Sequence, residues 1–113
     1  MSVVLNIAKD YYAENNIRYV FLDGRACKKM DACFTTLQEQ LSIPAYFGKN
    51  LDALEEVLDD MEWIKEEKIK IIISHTNSLL ENDLAKKKVF VEILHSINNE
   101  KVEIIYLGVP AAE

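Results

Sequence analysis

Residues 41–63 read LSIPAYFGKNLDALEEVLDDMEW, and the order of residue types here fixes what the flanking chain must do. Pro44 ends whatever helix precedes it, because it lacks a backbone N–H and restricts the residue before it. Tyr46, Phe47 and Gly48 then make a short aromatic loop. Asn50 is a good helix N-cap, and Leu51, Leu54, Leu58 and Met61 recur at helical spacing behind it. Two helices therefore follow one another within a single connection.

Working outward, three apolar runs rich in Val, Ile and aromatics read as strands buried on both faces: Tyr19 to Leu22, Ile69 to Ile73 and Val102 to Leu107. Strands that alternate with helices predict an α/β fold with a parallel sheet and right-handed crossovers. Asp31 is the expected cap of the first helix, with Phe34, Leu37 and Leu41 inward. Ser78-Leu79-Leu80-Glu81 reads as a capping box opening a short helix. Asp83 is the expected cap of a longer helix carrying Phe90, Ile93 and Ile97 and ended by Asn98-Asn99. Val3, Val4, Ile7 and Tyr11 fit one more amphipathic helix at the N-terminal side.

At 113 residues, with half of them hydrophobic, the chain is expected to be one folded domain. The N-terminal residues lack the basic start and long apolar run of a secretory signal, and no stretch is long enough for a membrane span. Cys27 and Cys33 are too few for a disulfide scaffold and read as small buried residues. The expected location is cytoplasmic.

Charge is distributed unevenly. Asp52, Glu55, Glu56, Asp59, Asp60 and Glu62 fall between Asn50 and Glu62 with no base among them. The whole chain has 19 acids against 13 Lys and Arg, so removing these six leaves a neutral remainder and the net charge of −6 resides in this segment. On the predicted helix the acids lie opposite the leucine stripe. Six like-charge contacts at spacing three or four (Asp52 with Glu55 and Glu56, Glu55 with Asp59, Glu56 with Asp59 and Asp60, Asp59 with Glu62) at roughly 0.2–0.5 kcal/mol each cost about 1–3 kcal/mol. A domain with only about 5–15 kcal/mol of net stability feels such a cost. The surface suits a basic protein and disfavours RNA, DNA or anionic lipid.

Leu41, Pro44, Tyr46, Gly48, Asn50, Leu51, Asp52, Ala53, Leu54 and Leu58 together resemble the barstar family, intracellular inhibitors of the secreted ribonuclease barnase. The resemblance implies a barstar-like α/β fold, a three-stranded parallel sheet packed with about four helices. It covers residues 18–113, with 1–17 as an N-terminal extension. It also implies a stoichiometric inhibitor of the immunity or antitoxin type, without enzymatic chemistry, that blocks the RNA-binding active site of a basic ribonuclease.

Carried over by position, Tyr46 is the aromatic contact, Asp52 an acid at the helix start and Glu56 the central carboxylate. Asn50 caps and presents the face, and Gly48 allows close backbone approach. Glu55 and, on the later helix, Glu92 complete the partner-binding set. The chain departs from the family where Glu55 stands at a tryptophan position, Glu56 at that of an aspartate, and Lys49 and Ala45 at those of acids. These changes keep a second reading open: a barstar-fold adaptor docking on a non-nuclease basic protein.

Other chemistry has less support. His75 and His95 lack a neighbouring nucleophile motif or metal-ligand spacing. EF-hand and Walker signatures are absent, which disfavours a metal-dependent hydrolase. Lys86-Lys87-Lys88 reads as a solvated helix face. No metal, cofactor, small-molecule substrate, nucleic acid or membrane partner is expected.

Overall fold

The computed structural model describes residues 11–44 and 48–108. The three expected strands form, each slightly longer or shorter than read: β2 (Ile17–Asp23), β3 (Lys68–Ser74) and β4 (Val102–Tyr106). They pair in parallel, with Val20 opposite Ile71 and Ile71 opposite Ile104.

A further strand, β1 (Tyr12–Glu14), adds antiparallel to β2, so the sheet has four strands in the order β1-β2-β3-β4 rather than three all parallel. The connecting Asn15-Asn16 pair takes positive φ at both residues (56° and 66°), the backbone hand that tight hairpins require and that asparagine tolerates. A three-residue strand shows no readable alternation, so the Asn-Asn turn was its one sequence signal. Of the expected N-terminal amphipathic helix, Val3, Val4 and Ile7 lie outside the described residues, and Tyr11 leads into β1.

Among the described residues, the helices cover one face of the sheet only, which corrects the reading of strands buried on both. Strands β2, β3 and β4 lie in sequential order, and right-handed crossovers taken repeatedly in one direction fall on one side of a sheet. Burial agrees. Val20, Leu22, Ile69, Ile71 and Ile73 are inaccessible to solvent and pack with Leu37, Leu41, Leu54, Leu58, Met61 and Phe90 of the helical layer. Across the pleat, Tyr19, Ile72 and Ile105 are partly exposed and Phe21 is 49 % exposed.

The described residues contain three α-helices, α1 (Met30–Gln40), α2 (Leu51–Asp60) and α3 (Leu84–His95), together with one 3-10 turn at Gly24–Ala26. That is one helix fewer than expected. The Ser78 capping box instead lies within consecutive turns, whose backbone is tied down by Leu80 N–H to Cys27 O (2.8 Å) and Asn82 N–H to Lys28 O (3.0 Å).

Two capping assignments also change. Lys29, not Asp31, holds the cap position of α1, and Asp31 sits in its first turn. Asp83 occupies the cap position of α3 but makes no side-chain bond to it. Its carboxylate accepts the Met30 N–H of α1 at 2.9 Å. One acid thus serves the positive end of a neighbouring helix, a tertiary arrangement that local spacing does not encode.

The first crossover is fastened by Arg18, the only buried charged side chain among the described residues. Its guanidinium pairs with Glu66 (2.8 Å), donates to Gln40 O and Ser42 Oγ (both 3.2 Å), and lies 3.6 Å from the Tyr11 ring centroid. Gly24 holds the other end of the sheet. A Cβ there would stand 2.0 Å from His75 O and 2.7 Å from Leu79 N, so the two backbones approach closely only because the residue is glycine.

Candidate protein-binding surface

Helix α2 starts where the sequence placed it. Asn50 is extended (φ −134°, ψ 166°), and its side-chain oxygen accepts the Ala53 N–H at 2.8 Å. Leu54 and Leu58 are fully buried, Leu51 is partly buried, and Met61 takes left-handed backbone (φ 51°) to end the helix, with its side chain fully buried. Asp52, Glu55, Glu56, Asp59 and Asp60 are all exposed on the opposite side. Glu62 lies beyond the helix, so its contact with Asp59 drops out and five like-charge contacts remain.

The structure separates acids that the sequence treats alike. Asp59 accepts the Asn98 N–H at 2.9 Å, and Asn99 Nδ2 donates to the carbonyls of Asp59 (3.4 Å) and Asp60 (3.2 Å). These bonds satisfy the open carbonyls at the end of α2 and offset the poor placement of acids there. Sequence reading gave Asn98-Asn99 only a helix-ending role. In fact α3 ends at His95, and the asparagines latch the following turn to α2.

Asp52, Glu55 and Glu56 differ. No described residue forms an ion pair or side-chain hydrogen bond with any of them. Their carboxylates face solvent from a helix fixed at both ends.

Gly48 and Asn50 are both exposed at the approach to this helix. A Cβ at Gly48 would lie 3.0 Å from Asn50 Nδ2, so bulk there presses on the capping side chain. The positive φ in this loop belongs to Lys49 (52°). Tyr46, the expected aromatic contact, and its neighbours Ala45 and Phe47 lie outside the described residues.

Glu92 is exposed on α3, which packs beside α2. It borders a shallow groove with Leu84, Lys87, Lys88 and Val91. No described contact joins it to Asp52, Glu55 or Glu56.

The other reactive side chains have local partners. His75 Nδ1 is 3.2 Å from Asp23, whose carboxylate is also held by Arg25 at 3.0 Å. The Arg25 side chain and backbone N–H, and less strongly His75, hold Asp23 at a pKa of about 2. His95 Nε2 lies 3.0 Å from the Tyr106 hydroxyl, ring edge to face. Cys27 and Cys33 are buried as expected. The Cys33 thiol's hydrogen bond draws Cys27 down to about 7, while the same contact and burial push Cys33 up. Among the described residues no three His, Cys, Asp or Glu side chains come together as a metal site, and no helix is long and apolar enough to cross a membrane.

What α2 offers is an exposed, negatively charged helix face, held at its start by the Asn50 cap and at its end by Asn98 and Asn99. No match is found among curated proteins. Residues 17–107, most of the chain and all of the sheet except β1, match the family model described as Barstar (barnase inhibitor), and the chain belongs to that family.

Proposed function

We propose that this protein is a stoichiometric inhibitor, of the immunity or antitoxin type, of a basic ribonuclease. The loop at Tyr46 and Gly48 and the carboxylates of Asp52, Glu55 and Glu56 cover the enzyme's RNA-binding site, and Glu92 flanks them. Carboxylates there occupy places that RNA phosphates take in catalysis, facing the cationic side chains that bind them. The protein performs no chemistry itself and acts in the cytoplasm.

The observation that supports this reading is the contrast on one helix. Asp59 is engaged internally, while Asp52, Glu55 and Glu56 are exposed and have no ion pair or side-chain hydrogen bond among the described residues. Like charges held together without partners among the described residues are best accounted for by an external cation.

Co-expression with a lethal, basic, barnase-like ribonuclease tests it. Growth is expected with the native chain and is expected to fail with the Asp52→Ala, Glu56→Ala pair. Rescue that survives the double change would mean the interface lies elsewhere. Glu55 at the family's tryptophan position favours a second reading, an adaptor for a non-nuclease basic protein. No protection against any basic ribonuclease, together with salt-sensitive capture of another basic protein that is lost in the same double variant, would select it.

A further inference from the structure

Cys27 and Cys33 are the chain's two cysteines, and the inhibitor reading uses neither. Cys27 closes the 3-10 turn that follows β2, and Cys33 stands near the start of α1. Folding brings the two thiols together. The Cys33 thiol is hydrogen-bonded to that of Cys27, and its Sγ lies 3.9 Å from Cys27 O. Cys27 Sγ in turn lies 3.8 Å from Thr36 Oγ1, one turn further along α1.

The two sulfurs are not equivalent. Cys27 is 1 % exposed, but its sequence neighbours Arg25, Ala26, Lys28 and Lys29 are all exposed, so it lies directly beneath the surface. The bonds from Cys33 and Thr36 favour a thiolate at Cys27, the form that reacts. Cys33 is wholly buried and holds its proton, which suits it to answer a neighbouring sulfur rather than to attack first. With no third cysteine in the chain, the only disulfide one molecule can make joins these two.

From this geometry we infer that Cys27 and Cys33 form a reversible dithiol–disulfide couple responsive to hydrogen peroxide, Cys27 attacking and Cys33 resolving. The Cys27 thiolate takes an oxygen from peroxide and becomes a sulfenic acid, and the displaced hydroxide takes up a proton as the first water. The Cys33 sulfur then attacks the Cys27 sulfur, and its proton leaves with the hydroxyl as the second water. The thiols together give up two electrons and two protons, and one peroxide becomes two waters. Peroxide is small and uncharged, so it reaches a thiol just beneath the surface where glutathione disulfide does not. The bond ties the end of β2 to α1, beside the carbonyls of Cys27 and Lys28 that hold Leu80 and Asn82. In a reducing compartment such a bond is transient and records oxidant.

The test treats the folded full chain with hydrogen peroxide, then denatures it, alkylates it with iodoacetamide and weighs it intact. The oxidised protein is expected to have lost two hydrogens and to take up no alkyl group. Untreated protein, and oxidised protein returned to dithiothreitol, should take up two. Cys33→Ser, which keeps a hydroxyl donor beside Cys27, should lose its remaining thiol to peroxide faster than Cys27→Ser does. Retention of both thiols in the native protein overturns the inference. So does a bond that forms only at urea concentrations that unfold the chain, or one that links two chains. The reverse order of reactivity in the two serine variants, each with native circular dichroism, overturns the assigned roles. If either variant does not fold, the native protein's oxidation with and without urea decides.

Discussion

Replacing Glu56 by alanine is expected to make the protein more stable and a poorer binder at once. Glu56 has three acidic neighbours at helical contact spacing, Asp52 four residues before it and Asp59 and Asp60 three and four after. Among the described residues it has no partner to lose. Removing it abolishes three of the five remaining repulsions, which at roughly 0.2–0.5 kcal/mol each amounts to about 0.6–1.5 kcal/mol. Alanine and glutamate are both good helix formers, so propensity adds little. For a domain near this size the gain corresponds to a melting point higher by roughly 4–8 °C per kcal/mol.

Thermal or urea unfolding at low salt, repeated at high salt, measures the effect. The gain should shrink as the charges are screened. The on-rate for a basic ribonuclease should fall in the same variant and lose part of its salt dependence. Asp59→Ala is the control from the same helix. It gives up a hydrogen bond to a charged acceptor, worth about 1.5–3 kcal/mol, against relief of contacts with Glu55 and Glu56, so it is expected to destabilise or stay neutral. A Glu56→Ala protein less stable than the native one, or a gain indifferent to salt, would refute the argument that the acidic face is maintained at a cost.

Three other outcomes are expected. Arg18→Ala leaves Glu66 partly buried without its partner and should cost about 3–5 kcal/mol in urea unfolding, whereas Arg18→Met, which refills the space, should cost less. Gly24→Ala places a Cβ 2.0 Å from His75 O, which forces two backbones apart, and should destabilise by at least about 1–3 kcal/mol, read as a lower urea midpoint with unchanged slope. Asp23 is held at about 2, below its ordinary value near 3.8, chiefly by Arg25. Its contribution is therefore complete above pH 4 and is lost as pH falls through 2, so an Asp23→Asn protein should show a flatter stability profile across that window.

The sequence alone determined the alternation of strands and helices, the double helix in the first crossover, and the Asn50 cap with its leucine stripe. Each rests on local chemistry: a cap and its amide are three residues apart, and a helical stripe repeats every three or four. The concentration of charge on α2 was equally legible, because sidedness follows from spacing once the helix is known. Tertiary structure decided what spacing cannot express. Asp83 serves α1 rather than its own helix, Asp59 is bound by Asn98 from α3's far end, and Arg18 gathers Glu66, Gln40 and Ser42 from across the crossover. Each joins residues more than 20 positions apart, where any acid or arginine reads alike. The open sheet face has the same origin: strand order and crossover hand, not the composition of any one strand, determine which side the helices cover.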